Sequence, residues 1–174
     1  MNGGRAHHWQ HGQPIRDPFC EHHTVDTTEL SQAFDDFLQV AEEGGFGPPP
    51  PGEWDANRVL AHVHAVNAHI AATALAVHAG LRVTYDNRPT LDEWNLRRLV
   101  AGGDLVGRVR RGGELYRAVV EQLDDADLEV PVAIFIVSND NVVVDEALPL
   151  LWLVSGVGEI HLPRHAMQLA ALRG

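Results

Sequence analysis

From Ala56 to about Ala79 the chain repeats one pattern: Val59, His62, Val63, Val66, Ile70, Ala74 and Val77 return at steps of three and four. A strand would alternate at every second residue, so only an α-helix gathers these side chains on one side. A stripe this long must be covered by other elements, and the fold has to be built around that requirement. Asp55 stands where a side chain can accept from the orphan amides of the first turn, and Gly80 stands where a left-handed residue closes the last one.

Other segments supply partners for that face. From Thr27, with Thr28 as cap, Leu30, Phe34, Phe37, Leu38 and Ala41 form a second stripe that ends at Gly44-Gly45. Gly47-Pro48-Pro49-Pro50-Pro51-Gly52 cannot be helical, because four successive rings remove amide donors and favour an extended path, so it reads as a stiff connector. Thr90-Leu91-Asp92-Glu93 has the form of a capping box opening a helix to about Ala101, which Gly102-Gly103 interrupts. Asp104 starts a longer helix to Leu123 with Leu105, Val109, Leu115, Val119 and Leu123 as its apolar positions, and Gly112-Gly113 weakens its middle. Val130 to Val144 is β-branched on both sides of Ser138-Asn139-Asp140-Asn141 and predicts a short hairpin. The last helix begins around Glu146 to Pro149 and runs to about Leu172, with Pro163 as a local distortion. No internal repeat of fixed period is present.

With helices dominant and four strong amphipathic segments, the expected architecture is all-α: an antiparallel four-helix bundle over residues 27–174, with a short hairpin-like excursion before the last helix. Residues 1–26, rich in His, Gly and Pro without an apolar period, form an arm. A total of 174 residues suits one domain.

Charge narrows the function classes. Formal net charge is −11, and all 13 basic residues are arginine, so no lysine-rich patch is available for a phosphate backbone or an anionic membrane. Cys20 is the single cysteine, which excludes an internal disulfide and a cysteine-based zinc framework. No uninterrupted apolar run approaches the roughly 20 residues of a membrane span, and the N-terminus has no signal-peptide core. The expectation is a soluble, cytoplasmic protein with neither nucleic acid nor membrane as partner.

Any metal must therefore be held by histidine and carboxylate. His62 lies inside the apolar stripe of its helix, whereas His64 turns away from it and His69 sits at its border. On the last helix Leu150, Val154, Val157, His161 and His165 share a side, and the two histidines stand four apart, so both rings can face one ion. A partly buried site favours the neutral imidazole that ligation requires. Three histidines with an open fourth position suit activation of a bound water or thiol. A hydrogen-bonded core histidine accounts for each ring equally well, and the helical wheel does not show that the two helices adjoin. A ferritin-like di-iron bundle is excluded, since no Glu-x-x-His pair falls on these helices.

The stretch Trp54-Asp55-Ala56-Asn57-Arg58-Val59-Leu60-Ala61-His62 resembles the opening of the second helix in the DinB-like superfamily, which includes the N-terminal domain of mycothiol-dependent maleylpyruvate isomerase. Asp92-Glu93-Trp94-Asn95, the run from Leu115 into Val130-Pro131, and Glu159-Ile160-His161-Leu162-Pro163-Arg164-His165 are similar to its later course, so the likeness spans roughly residues 28–172. The resemblance implies a four-helix bundle with a long crossover. It also implies a divalent ion, zinc or nickel, on His62, His161 and His165, with a low-molecular-weight thiol such as mycothiol or bacillithiol activated for transfer or isomerisation. In the isomerase branch the first of the last two ligands is usually glutamate. The all-histidine set is closer to the bacillithiol-transferase branch, and the chain ends soon after the fourth helix, without the isomerase's additional domain. The partners implied are a small thiol and an electrophilic substrate, with a homodimer as the candidate assembly. The alternative reading is a non-catalytic metal-binding stress-response bundle.

Glu159 and Asn67 are candidate catalytic residues, as proton acceptors or hydrogen-bond partners of ligating rings, although both also suit ordinary helix positions. Asn95 matches a position favoured in the family and equally suits a bond between helices. Trp54 and Trp94 are expected to pack where their helices begin. Arg108, Arg110 and Arg111 form a small basic cluster. The arm histidines His7, His8, His11, His22 and His23 can bind metal adventitiously, and Cys20 has no feature that would make it a nucleophile.

Overall fold

The computed structural model describes residues 27–173. The N-terminal arm, with its five histidines and Cys20, lies outside the described residues. The chain is mainly helical with one small sheet: α1 (Thr27–Glu43), α2 (Ala56–His78), β1 (Thr84–Asp86), α3 (Arg88–Leu91), α4 (Glu93–Ala101), α5 (Leu105–Val120), α6 (Asp125–Leu128), β2 (Pro131–Ser138), β3 (Asn141–Pro149), α7 (Leu150–Gly156), a π-helical segment (Val157–His161) and α8 (Leu162–Ala171).

α2 is the central element, and its stripe is buried as the periodicity requires, with Val59, Val63 and Ala74 completely enclosed. The Asp55 carboxylate accepts from the Arg58 amide at 2.7 Å, and Gly80 takes φ +77 at the other end. α2 is long and apolar enough to cross a membrane by length and composition, with a mean hydropathy of 1.3 over its window. Since 61% of that window is buried within the molecule, those side chains are already used by the core.

α2 packs along α5, and α1 lies against both α5 and α8. On α5 Leu105, Val109 and Val119 are buried as expected, joined by Tyr116, fully buried and donating to the Val154 carbonyl at 2.9 Å, whereas Leu115, expected inside, is 57% exposed. The Gly112-Gly113 pair sits where neighbours come close: the Phe34 ring abuts Gly113 and the His64 ring abuts Gly112. His64 thus leaves the α2 stripe only to pack against α5.

Two boundaries differ from expectation. The Thr90 hydroxyl does not cap a helix, because it donates to the Asn87 carbonyl at 2.7 Å inside the single turn α3. The cap of α4 is instead Asp92, which accepts from the Asn95 amide at 2.9 Å. α7 starts at Leu150, just past the expected range of Glu146 to Pro149, because residues up to Pro149 are paired with β2. The hairpin itself follows its turn chemistry: Asn139 and Asp140 both take left-handed φ, +49 and +60, which suits a two-residue connection between β2 and β3. β1 joins this hairpin as a third strand parallel to β2, with Tyr85 opposite Ile134, and both side chains are buried. Asn87 extends that pairing with its side chain, accepting from the Val137 amide and donating to the Val137 carbonyl, each at 2.9 Å.

Pro163 has the effect its chemistry demands. It lacks an amide and its ring crowds the carbonyl four residues earlier, and the turn before it is π-helical, with the Leu162 amide bonded to the Val157 carbonyl. The wider turn precedes the second histidine of the pair, so His161 and His165 still share a side. Gly158, within this turn, lies against the Leu30 backbone of α1.

Candidate metal centre

α2 contributes His62, the end of the π-helical turn contributes His161, and α8 contributes His165. Their ligand nitrogens all lie within 4.8 Å of one another, and the Nε2 atoms of His62 and His161 are 3.3 Å apart. Ring centroids are separated by 5.2, 5.0 and 4.6 Å. Two nitrogens on one tetrahedral ion, each about 2.0–2.1 Å from it, stand roughly 3.3 Å apart. The three rings are therefore close enough to hold a metal ion.

The donor chemistry fits as well. His62 Nδ1 lies 2.9 Å from the Thr90 carbonyl, an acceptor only, so Nδ1 carries the proton and Nε2 keeps its lone pair toward the other rings. That carbonyl is free for the purpose because α3 stops after one turn and leaves its last carbonyls without helical partners. His165 Nδ1 donates to the Gln168 side-chain oxygen at 2.8 Å, which orients the second ring in the same manner. His161 Nδ1 is buried without a partner among the described residues. Burial holds all three imidazoles below their ordinary range: His62 falls to about 4, His161 is held well below its usual value, and His165 is lowered despite its bond to Gln168. Neutral imidazole, the ligating form, prevails near pH 7.

The rings open on a cavity of about 1080 Å³ that runs along α2 past Val66 and Ile70 to Tyr85 and the end of β2. Most ligand sites have this character, apolar walls with few polar groups. Trp54, expected as a packing residue, belongs to the site: its ring meets His62 edge-on at 5.1 Å and carries the Arg58 guanidinium at 4.6 Å. Trp94 is 63% exposed and instead supports Arg98.

Of the candidate catalytic residues, Glu159 is exposed at the cavity wall and makes no hydrogen bond to the histidines. Asn67 is wholly buried, outside the cavity wall, with neither amide atom partnered among the described residues. Asn95 donates to the Pro89 carbonyl at 3.2 Å, a local bond between α4 and α3. The arginine cluster is engaged elsewhere: Arg108 with the carbonyls of Gly102 and Gly103, Arg110 with Glu42, and Arg111 with Asp104. Sequence reasoning missed the Thr90 carbonyl and Gln168. The latter had a readable sign, since a side chain three residues after a helical ligand lies beside it.

Comparison with family models, with curated proteins and with solved structures returns no match. The case for a metal site therefore rests on the arrangement of these side chains.

Proposed function

We propose that this chain is a divalent-metal-dependent enzyme of the DinB-like type that transfers a low-molecular-weight thiol, of the mycothiol or bacillithiol kind, to an electrophile. In this reading the long helices form the four-helix bundle of that group, and zinc or nickel occupies His62, His161 and His165. The observation that carries it is the meeting of three neutral imidazoles from separate turns of the chain at the wall of a large cavity. An ion that only cross-linked helices would not need such a cavity beside it.

A bound divalent ion supplies Lewis acidity, which stabilises a thiol as thiolate at neutral pH. The chain's own residues do the rest. The Thr90 carbonyl and Gln168 fix the ring orientations, the apolar wall excludes water from the electrophile, and Glu159 at the cavity wall takes up the thiol proton. A cytoplasmic location and a homodimer belong to the same proposal.

The test is thiol transfer by zinc- or nickel-loaded protein, using mycothiol and bacillithiol against a panel of haloalkane and epoxide electrophiles. Thiol-dependent conjugate formation that is abolished in His62→Ala and in His161→Ala is the expected result. Equal rates in wild type and both variants would reject the proposal.

A further inference from the structure

Tyr85 has no role in the chemistry proposed above, yet its position is unusual. Its side chain is 2% exposed, lines the cavity, and offers a hydroxyl with no hydrogen-bond partner among the described residues. Tyr116, the other tyrosine, is equally buried but spends its hydroxyl on the Val154 carbonyl. A buried phenol normally finds an acceptor, and an unpaired one facing a cavity is a ready donor to whatever fills it.

Its distance from the histidines follows from α2. The Tyr85 ring rests against His69 at 4.9 Å, and His69 lies seven residues beyond His62, about 10 Å along the helix axis. Between them Val66 and Ile70 present apolar wall, and Trp152 and Leu153 of α7 add to the lining. Charge at the histidine end is mixed, because Glu53 and Glu159 line the cavity there beside one arginine. Arg164, beside His165 in sequence, is the one arginine among the residues that line the cavity, and it makes no ion pair among the described residues. Asp86, next to Tyr85, is paired with Arg88 and does not line the cavity, whereas Glu129 does. The lining offers no arginine at the Tyr85 end to hold an anion, and burial together with Asp86 keeps the Tyr85 phenol protonated as a donor.

We propose that the cavity receives an elongated, mostly apolar ligand whose far end is a neutral hydrogen-bond acceptor, a carbonyl or ether oxygen, taken by the Tyr85 hydroxyl about two helical turns from the histidines. This names the substrate class of the thiol-transfer reading and rests on that reading only for what happens at the histidine end. Tyr85 is a specificity residue here, remote from the reacting atoms.

The experiment compares 4-phenylbutan-2-one with butylbenzene, which share a shape and differ by the carbonyl oxygen. Binding is read from tryptophan fluorescence, because Trp54 and Trp152 both line the cavity. Wild type and Tyr85→Phe are titrated as full-length chains, with and without zinc. The substitution removes one oxygen that no described residue bonds, so the fold is retained. Expected is a loss of about fivefold in ketone affinity in the variant, the size of one net hydrogen bond, with butylbenzene unchanged. Equal ketone affinity in the two proteins, a loss shared by both probes, or no binding of either probe to wild type would overturn the proposal. The ketone preference is measured on metal-free protein too, so a chain that fails to retain zinc yet keeps the preference refutes only the metal reading.

Discussion

Replacing Gly113 by alanine in α5 sets two effects against each other. In an exposed helix interior the change gains about 1 kcal/mol, because alanine loses less backbone entropy than glycine. At Gly113, however, the new methyl would stand 2.7 Å from Phe34 Cδ1 and 2.8 Å from Cε1. Carbon atoms prefer about 3.5–4.0 Å, so roughly 1 Å must be recovered by movement. Phe34 has no exposed surface and leans on Tyr116, itself completely buried, so the ring has nowhere to go without shifting α1. Overpacking of this kind costs about 1–3 kcal/mol, which exceeds the propensity gain and leaves a net loss of about 1 kcal/mol. For a domain of this size the melting temperature should fall by about 2–4 °C. Gly156→Ala in α7 is the control, since a methyl there meets nothing within 4 Å and should stabilise the chain. Thermal and urea unfolding of the two variants decide the matter. If Gly113→Ala is stabilised as much as Gly156→Ala, the close packing of α1 on α5 described above is wrong.

Further outcomes follow from the histidines. With metal removed, burial holds His62 near 4, while in the unfolded chain it returns to about 6.5. The unfolded chain then binds more protons between those values. Stability from the neutral ring is present above about pH 6.5 and lost as pH falls toward 4, by up to about 3 kcal/mol. Urea midpoints of metal-free protein at pH 7 and pH 4.5 read this directly, and equal midpoints would contradict it. Gln168→Leu removes the acceptor that orients His165 and should weaken zinc binding by about 10–100-fold with little change in helix content, measured by competition with a chromogenic chelator. Unchanged affinity would show that Gln168 does not position the ring.

Much of this arrangement was legible in the sequence because it depends on helical spacing. The Asp55 cap, the α2 stripe with His62 inside it, and the four-residue step from His161 to His165 are one-dimensional patterns with a single three-dimensional outcome. The turn at Asn139-Asp140 was legible for a similar reason, since few residues tolerate left-handed φ. β1 was not, because three residues carry no periodicity and the strand exists through its pairing with β2. On the inward side of α5 only Leu115 was misplaced, because it is more apolar than Tyr116, while the fold needed a side chain able to fill the core and bond Val154 at once. The Thr90 carbonyl that fixes His62 is backbone, invisible to any reading of side chains. Nor could a helical wheel show that α2 and α8 meet, which the packing of both helices within one core brings about.

The most direct test is X-ray absorption on protein carrying one equivalent of zinc, with the five arm histidines replaced by alanine so that they cannot compete. Three imidazole nitrogens at about 2.0–2.1 Å, reduced together with zinc retention in His62→Ala and in His165→Ala, are the predicted result. Zinc held equally well without His62, or not held at all by the intact trio, would contradict the claim that these helices share one ion.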